Sequence, residues 1–496
     1  MDEIAYITTP LYYVNAEPHI GHAYTQIAAD TLARYCRQSG KKVFFLTGTD
    51  EHGQKIQDAA DARGISPREH TDEMVGKFKD LWVKLDISND GFIRTTDEEH
   101  KETVRSLLNK LYEKGEIEKR SYTGWYCVPD ERFWREKDLE EGKCPECGRE
   151  VERIREDNYF FLMSAYQEKL IEYINSNPGY IKPDIRRNEV LGFLKNNRLD
   201  DLCISRPKSR LSWGIPLPFD ENYVTYVWFD ALINYYSATG YIAPPGVNWW
   251  PATCHLIGKD ILTTHSVYWS TMLMGLGLPL PRKIFAHGWW TITGEKMSKS
   301  RGNVIAPLDL VEQWGVNAFR YFLLRQVSFG MDGNFSEEQF ISRYETDLAN
   351  DLGNLLSRVL SMISKYSPSY DPSRPDGFEK LSEDISGDLE ELYGELRFSS
   401  VLDRIWEIVK SANVYVERSA PWNLAKSDTE RLSQVLTSLY ETLGCVASLI
   451  YPFMPGASAE MNRQLGIEEP GLGIRRWGDA GRFGNIKKGD PLFPKK

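Results

Sequence analysis

The chain has 496 residues, of which 41% are hydrophobic and 26% charged, a balance that excludes disorder, collagen-like repeats and a disulfide-dense scaffold. Lys and Arg number 60 against 71 Asp and Glu, a net charge of −11, so nucleic acid must be met through local patches rather than bulk charge. Seven cysteines are too few, and odd in number, for a disulfide framework, which points to a reducing, cytoplasmic setting. The opening MDEIAYITTP lacks the basic and apolar regions of a leader. The run Ile4 to Ile7 predicts a strand, followed by turns through Pro10, Asn15 and Pro18. From His19 to Ser39 the apolar residues recur at helical spacing, and Gly40 is a natural stop. Val43 to Leu46 is the next strand. This βαβ opening implies a parallel sheet covered by helices. Between Thr123 and Arg155 the texture changes to two Cys- and aromatic-bearing segments around a charged stretch, the mark of a small inserted knuckle. Strand signals resume at Val224 to Phe229, His255 to Ile257 and Ile284 to Ala286, so the α/β unit reads as split. The segment Ser266 to Leu280 is the longest apolar candidate, falls short of the ~18 residues that span a bilayer, and reads as a buried helix. Beyond Glu337 helical patterns dominate, at Asp347 to Tyr366, Ser382 to Val416 and Thr429 to Leu449, with Ala420-Pro421-Trp422 as a separator. They predict an all-α bundle. The tail from Gly466, rich in Gly, Pro and Arg, predicts an extended strap.

Two elements carry chemistry. His19-Ile20-Gly21-His22 stands where a loop enters a helix N-terminus, whose unpaired N–H groups and positive dipole favour phosphate. Two imidazoles one turn apart suit charge developing on phosphate oxygens, and Gly21 permits close approach of a ribose or base. Lys296-Met297-Ser298-Lys299-Ser300 lies between glycines, a loop whose two lysines reach a polyphosphate as point charges. Each alone is a common pattern: an incidental tetrapeptide and a solvated loop are the plain alternatives. In this order and separation the pair resembles the class I aminoacyl-tRNA synthetases.

Further motifs narrow the resemblance. Pro10-Leu11-Tyr12-Tyr13, Gly48-Thr49-Asp50-Glu51-His52-Gly53, Tyr226 to Ala231 and His287-Gly288-Trp289 are similar to those of the bacterial methionyl-tRNA synthetases, over essentially the whole chain. The resemblance implies an α/β fold: a Rossmann-type parallel-sheet catalytic domain with an inserted connective domain, followed by an all-α helical bundle. It divides the chain into catalytic halves at 1–115 and 213–325, a connective insertion with a metal knuckle at 116–212, a stem-contact linker at 326–349, an anticodon-binding bundle at 350–465 and a strap at 466–496. It implies a methionine site of Leu11, Tyr13, Asp50, Trp228, Ala231, Tyr235, His265 and Trp269. An apolar, polarizable thioether suits aromatic walls, and Asp50 suits the substrate ammonium. Many relatives carry an aromatic residue just before the position of His265, where this chain has Thr264. For ATP the matching positions are His19, Gly21, His22, His52 and Lys299, with His19, His22, Lys296 and Lys299 catalytic and Mg2+ expected on the phosphates. Asn350, Asn354 and Arg358, at i, i+4 and i+8, with Pro421 and Trp422, match a reader of the CAU anticodon of tRNA(Met). Without the resemblance that stripe would read as a solvated helix face. Cys127, Asp130, Cys144 and Cys147 match a knuckle for one structural Zn2+, with Asp130 where a second Cys is usual and a metal-free knuckle as the alternative.

The implied activity is methionine--tRNA ligase, with L-methionine, ATP and tRNA as partners and no membrane. The insertion between Glu116 and Trp213 is short for a knuckle plus an editing domain, which disfavours isoleucine, leucine and valine enzymes. A cysteine enzyme would place its zinc in the catalytic pocket. A short nucleotidyltransferase has no use for a helical bundle, and a tRNA-binding paralogue has none for intact phosphate motifs. Ending at Lys496 without an appended dimerising domain, the sequence suggests a monomer.

Overall fold

The computed structural model describes residues 3–15, 17–128, 132–134, 136–145, 147–292, 295–296, 307–467, 473–481, 483 and 486–495. Six parallel strands form the central sheet: β1 (Ile4–Tyr13), β2 (Lys42–Asp50), β3 (Gly91–Arg94), β4 (Ile181–Lys182), β5 (Cys254–Gly258) and β6 (Ile284–His287). Their spatial order is β3-β2-β1-β5-β6-β4. The order reverses between β1 and β5, and in open α/β sheets ligands bind in the crevice beyond the strand ends at such a switch point. The parallel α/β sheet and the helical C-terminal region expected from sequence are both present.

Helix α1 (Ile20–Gln38) follows β1 and has 16 of its 19 residues buried. One apolar core covers the α1 face of the sheet and runs without a break into the C-terminal helices. The other face carries the helix Val227–Tyr241 and the segment Thr264–Leu276. Of the buried helix expected over Ser266 to Leu280, the part to Leu276 is helical and largely buried, Gly277 to Leu280 being a more exposed turn, and the first stretch, Thr264–Trp269, is a π-helix.

Three elements differ from the sequence reading. β1 runs on through Pro10 to Tyr13, with a register irregularity between Thr8 and Leu11; a bulge lets a strand accommodate a proline. The apolar run Val224 to Phe229 is not one strand. A side strand, Asp220–Thr225, ends there and at Val227 a helix starts whose apolar residues Phe229, Leu232 and Ile233 are buried in the core on that face of the sheet. Ser382 to Val416 is two helices, Phe378–Gly394 and Phe398–Ser419, broken where Leu396 takes a φ of 54°.

The insertion is an antiparallel arm, Ile117–Cys127 against Glu152–Phe161, with short strands Arg132–Trp134 and Leu202–Cys203 on its edges. The region assigned to the insertion also supplies β4, the edge strand beside β6. The C-terminal segment lies over the bundle: Glu441 accepts from the backbone N–H of Gly478 (3.0 Å) and Ala480 (3.3 Å), and Phe493 is buried. Among the described residues no helix is long and apolar enough to cross a membrane.

Candidate active site, metal knuckle and RNA-binding end

The start of α1 is made by its two histidines. His19 is the N-cap: its Nδ1 accepts from the N–H of Gly21 (3.1 Å), and Nδ1 of His22 accepts from the N–H of His19 (3.1 Å). This is a reciprocal capping box built from imidazoles in place of the usual Ser and Glu. With both Nδ1 atoms accepting, each neutral ring carries its proton on Nε2. The rings stack with centroids 3.9 Å apart, and His22 also meets the edge of Tyr12 at 5.0 Å. A Cβ on Gly21 would lie 2.9 Å from Cε1 of His19, so the glycine makes room for the histidine ring itself rather than only for a ligand.

Asp50 ends β2 opposite Tyr13 of β1 and is buried. The next residue, Glu51, is fully buried and held by both forks of Arg94, at 2.7 and 2.8 Å, which fixes the turn on which Asp50 and His52 stand. Nδ1 of His52 lies 3.0 Å from Oδ2 of Asp230, at the start of the Val227–Tyr241 helix, and Trp213 packs edge-on at 5.6 Å. Burial pushes the Asp230 carboxyl up, against the pull of His52.

Of the expected methionine-site residues, Tyr235, His265 and Trp269 come together in one buried cluster. The hydroxyl of Tyr235 donates to Nε2 of His265 (2.8 Å), whose Nδ1–H donates to the carbonyl of Ile261 (2.9 Å). Burial lowers the His265 pKa to about 4, so the ring is neutral at pH 7. Trp228 (half-buried) and Ala231 (buried) sit on the first turn of the Tyr235 helix, and Leu11 and Tyr13 are half-buried on β1. The cluster contains a residue that sequence reasoning missed. His255 of β5 accepts from Nε1 of Trp269 (3.3 Å) and donates through Nδ1 to Thr8 of β1 (2.7 Å), tying the switch-point strands together.

A second missed group stands at the ends of β5 and β6. Lys259 reaches Asp332 (2.6 Å) and lies 4.1 Å from the Trp289 ring centroid, while Nε1 of Trp289 donates to Asp260 (3.2 Å). Its signal was available: Gly258-Lys259-Asp260, where β5 gives way to a short turn, repeats the Gly-x-Asp pattern of Gly48-Thr49-Asp50 at the end of β2. Of the lysine loop, the backbone of Lys296 is described, in a strand pair with Thr291; Lys299 lies outside the described residues.

In the insertion, the sulfurs of Cys127, Cys144 and Cys147 all lie within 4.8 Å of one another, with Cys127 and Cys147 at 3.5 Å. Asp130 lies outside the described residues. Gly148, at a φ of 70°, turns the chain so that its N–H meets the carbonyl of Cys144 (2.8 Å). The donor set fits zinc: thiolates about 2.3 Å from a tetrahedral ion stand roughly 3.8 Å apart.

In the bundle, Asn350 and Asn354 are exposed and Arg358 is half-buried, its guanidinium 2.7 Å from Glu417. Glu417 lies near the end of the Phe398–Ser419 helix, just before Pro421 opens the next; Pro421 is buried and Trp422 is 39% exposed. The polar stripe and the tryptophan therefore share one end of the bundle. Asn350 lies in a π-helical stretch, Tyr344–Gly353, that precedes the α-helix Asn354–Tyr366.

The family model described as class I tRNA synthetases (M) matches residues 5–154 and 149–360. The methionine--tRNA ligase of Caldanaerobacter subterraneus subsp. tengcongensis is 49% identical over 100% of this chain and 79% of its own length. That of Thermotoga maritima is 47% identical over 99% of this chain and 80% of its own. The chain belongs to the methionyl-tRNA synthetase family. Among solved structures, Mycobacterium tuberculosis methionyl-tRNA synthetase in complex with methionyl-adenylate matches with a TM-score of 0.92 and 39% identity, covering 100% of both chains. The apo form of that enzyme matches at 0.85 with 36% identity over 100% of this chain and 99% of its own. The family and fold class expected from sequence are thus borne out.

Proposed function

We propose that the chain is a methionine--tRNA ligase that forms methionyl-adenylate from L-methionine and ATP and passes methionine to the terminal ribose of tRNA(Met). The observation that carries this reading is a combination within a chain whose full-length relatives bear that name. An imidazole-capped helix follows β1, Asp50 is buried at the end of β2 beside β1, and an aromatic cluster is tied to β5 and β1 through His255. The methionine thioether lies against Tyr235, His265 and Trp269, with Leu11, Tyr13, Trp228 and Ala231 around it and Asp50 on the ammonium. Neutral His265 keeps the pocket uncharged for an apolar side chain. ATP lies across the strand ends, its phosphates toward the Nε2–H groups of His19 and His22 and the start of α1 at Gly21, with His52, Lys296 and Lys299 beside them.

A methionine carboxylate oxygen attacks the α-phosphorus, and the bond to the bridging oxygen of pyrophosphate breaks. A ribose hydroxyl of the tRNA then attacks the carbonyl carbon, and AMP leaves with the bonding electrons. The protein forms no covalent bond in either step. Its part is positioning and stabilisation of phosphoryl charge. Mg2+ accompanying ATP would supply further neutralisation of the phosphates. Cys127, Asp130, Cys144 and Cys147 hold one structural zinc, which would cross-link the knuckle. The anticodon is read by Asn350, Asn354 and Arg358 with stacking on Trp422 beside Pro421. The division of labour follows the boundaries 1–115, 116–212, 213–325, 326–349, 350–465 and 466–496. One chain carries every residue invoked, so we read the working unit as a cytoplasmic monomer.

Methionine-dependent exchange of pyrophosphate into ATP tests the first step, and charging of tRNA the second. A tRNA-binding paralogue shows neither. Lys299→Ala should slow adenylate formation far more than it weakens methionine binding; unchanged single-turnover activation removes Lys299 from the reading.

A further inference from the structure

Helix α1 starts at the histidine pair, but its second half is built to meet the bundle. Asp30, Arg34 and Gln38 recur every four residues and so share a face. Oδ2 of Asp30 accepts from Nη2 of Arg320 (2.6 Å) and Nε of Arg34 (2.7 Å), while Oδ1 accepts from the N–H and hydroxyl of Ser88 (2.7 and 2.6 Å). Both Asp30 and Arg320 are fully buried. The rest of the Arg320 fork is spent on carbonyls: Nε on Phe453 (2.8 Å), Nη2 on Pro452 (3.1 Å) and Nη1 on Leu85 (3.0 Å) and Asp86 (3.3 Å). Pro452 and Phe453 form the corner between the bundle helices Thr429–Leu449 and Pro455–Leu465. Two turns further along α1, Gln38 donates to the carbonyl of Ser448 (2.9 Å), and the Tyr35 ring stacks on Tyr393 at 3.7 Å. A single helix thus bears the phosphate-facing histidines at one end and is bolted to the bundle at the other.

We propose that this half of α1 is a rigid joint that holds the bundle at a fixed offset from the adenylate site for the transfer step, with Arg320 as its positioning residue. The proposal rests on the synthetase reading above. Adenylate formation uses groups on the sheet side alone. Transfer needs a tRNA gripped at the bundle's far end to deliver its terminal ribose to that site, so the error in the joint becomes an error in the ribose. A hydrophobic interface would tolerate small slips; a guanidinium donating to five acceptors on three segments does not, because any slip strands a buried charge.

The test measures three quantities in the full chain: methionine-dependent pyrophosphate exchange, tRNA affinity, and single-turnover transfer from preformed adenylate. Arg320→Lys keeps the charge beside Asp30 but loses the fork to the Pro452, Phe453 and Leu85 carbonyls. Transfer should slow by about tenfold or more, since misplacement of about 1 Å is costly, with exchange and tRNA affinity unchanged. Gln38→Ala, which buries no unpaired charge, should slow transfer by about threefold, the scale of one hydrogen bond, and it decides the matter alone if Arg320→Lys does not fold. Transfer at the unaltered rate, or exchange falling in step with transfer, overturns the joint. Absence of methionine-dependent exchange in the unaltered chain overturns instead the synthetase reading on which the joint rests.

Discussion

The Cβ that Gly21 lacks would press on the His19 ring. Gly21→Ala should therefore push that imidazole off its cap and slow adenylate formation by about an order of magnitude or more, while costing only ~1 kcal/mol of stability through the weakened helix start. Rapid-quench activation together with thermal unfolding checks this. An unchanged rate with a shifted His19 would mean the ring serves the helix alone. Trp422, 39% exposed at the bundle end, is a large price in solvated aromatic surface unless something stacks on it. Trp422→Ala should raise KM for tRNA by the ~1–3 kcal/mol of one stacked base and leave pyrophosphate exchange intact; loss of both would mark Trp422 as a packing residue. At this scale the sequence was informative where a motif named the residue and silent elsewhere. His19, His22 and Asp50 announce themselves through their neighbours. His255 does not, because a single histidine in an apolar strand has no local feature that distinguishes a cross-strand tie from ordinary core.

The knuckle is an element whose chemistry can be removed without touching the sheet. Three sulfurs within 4.8 Å, two of them buried, repel as thiolates unless a cation joins them. Protein purified without chelator should carry about one zinc per chain, and Cys144→Ser should lose it and loosen the arm to proteolysis with the catalytic sheet intact. An absence of metal with an undisturbed Cys144→Ser/Cys147→Ser variant would make the knuckle a packing element. If Asp130 is the fourth ligand, the site should be easier to strip than a four-thiolate one, because zinc favours sulfur. The same scale shows why some elements were legible and others were not. The parallel strands at His255 and Ile284 are buried on both faces, and a short apolar run between turn signals marks them. Val224 to Phe229 is just such a run, yet it straddles a strand end and a helix start; periodicity over six residues cannot separate the two. The Ser382 to Val416 pattern hides a break because the apolar stripe continues on both sides of Leu396, whose left-handed backbone has no sequence signature in a leucine.

At the scale of the whole molecule, four of the buried histidines contribute to the response to acid. Burial lowers His100 to about 3 and His265 to about 4, and lowers His255 and His287 as well. Burial disfavours the charged form of each ring in the folded chain, whereas each protonates near pH 6.5 when unfolded, so the unfolded chain binds more protons below that pH and stability falls as pH falls through this window. From pH 7 to pH 5 the loss is roughly 2 kcal/mol for each ring that stays neutral. Urea midpoints across that range check it, and His100→Asn should remove one ring's share; an unchanged slope would show that His100 takes up its proton in the folded state. Asp30 adds to the loss only below about pH 4: burial opposes its charge, but Arg320 and Arg34 hold its carboxyl below the usual range. The sheet order has a different consequence, for the chain as it is made. The N–H of Tyr6 in β1 is bound to Thr253, 247 residues later, and β1 lies between β2 and β5. A ribosome adding ~5–20 residues per second leaves that inner edge bare for ~10–30 s after β3 emerges. During that time an apolar strand with unpaired N–H and C=O groups is a template for any passing chain. Nascent fragments that stop short of Cys254 should therefore be held by strand-shielding chaperones, and fragments that reach past His287 should be released.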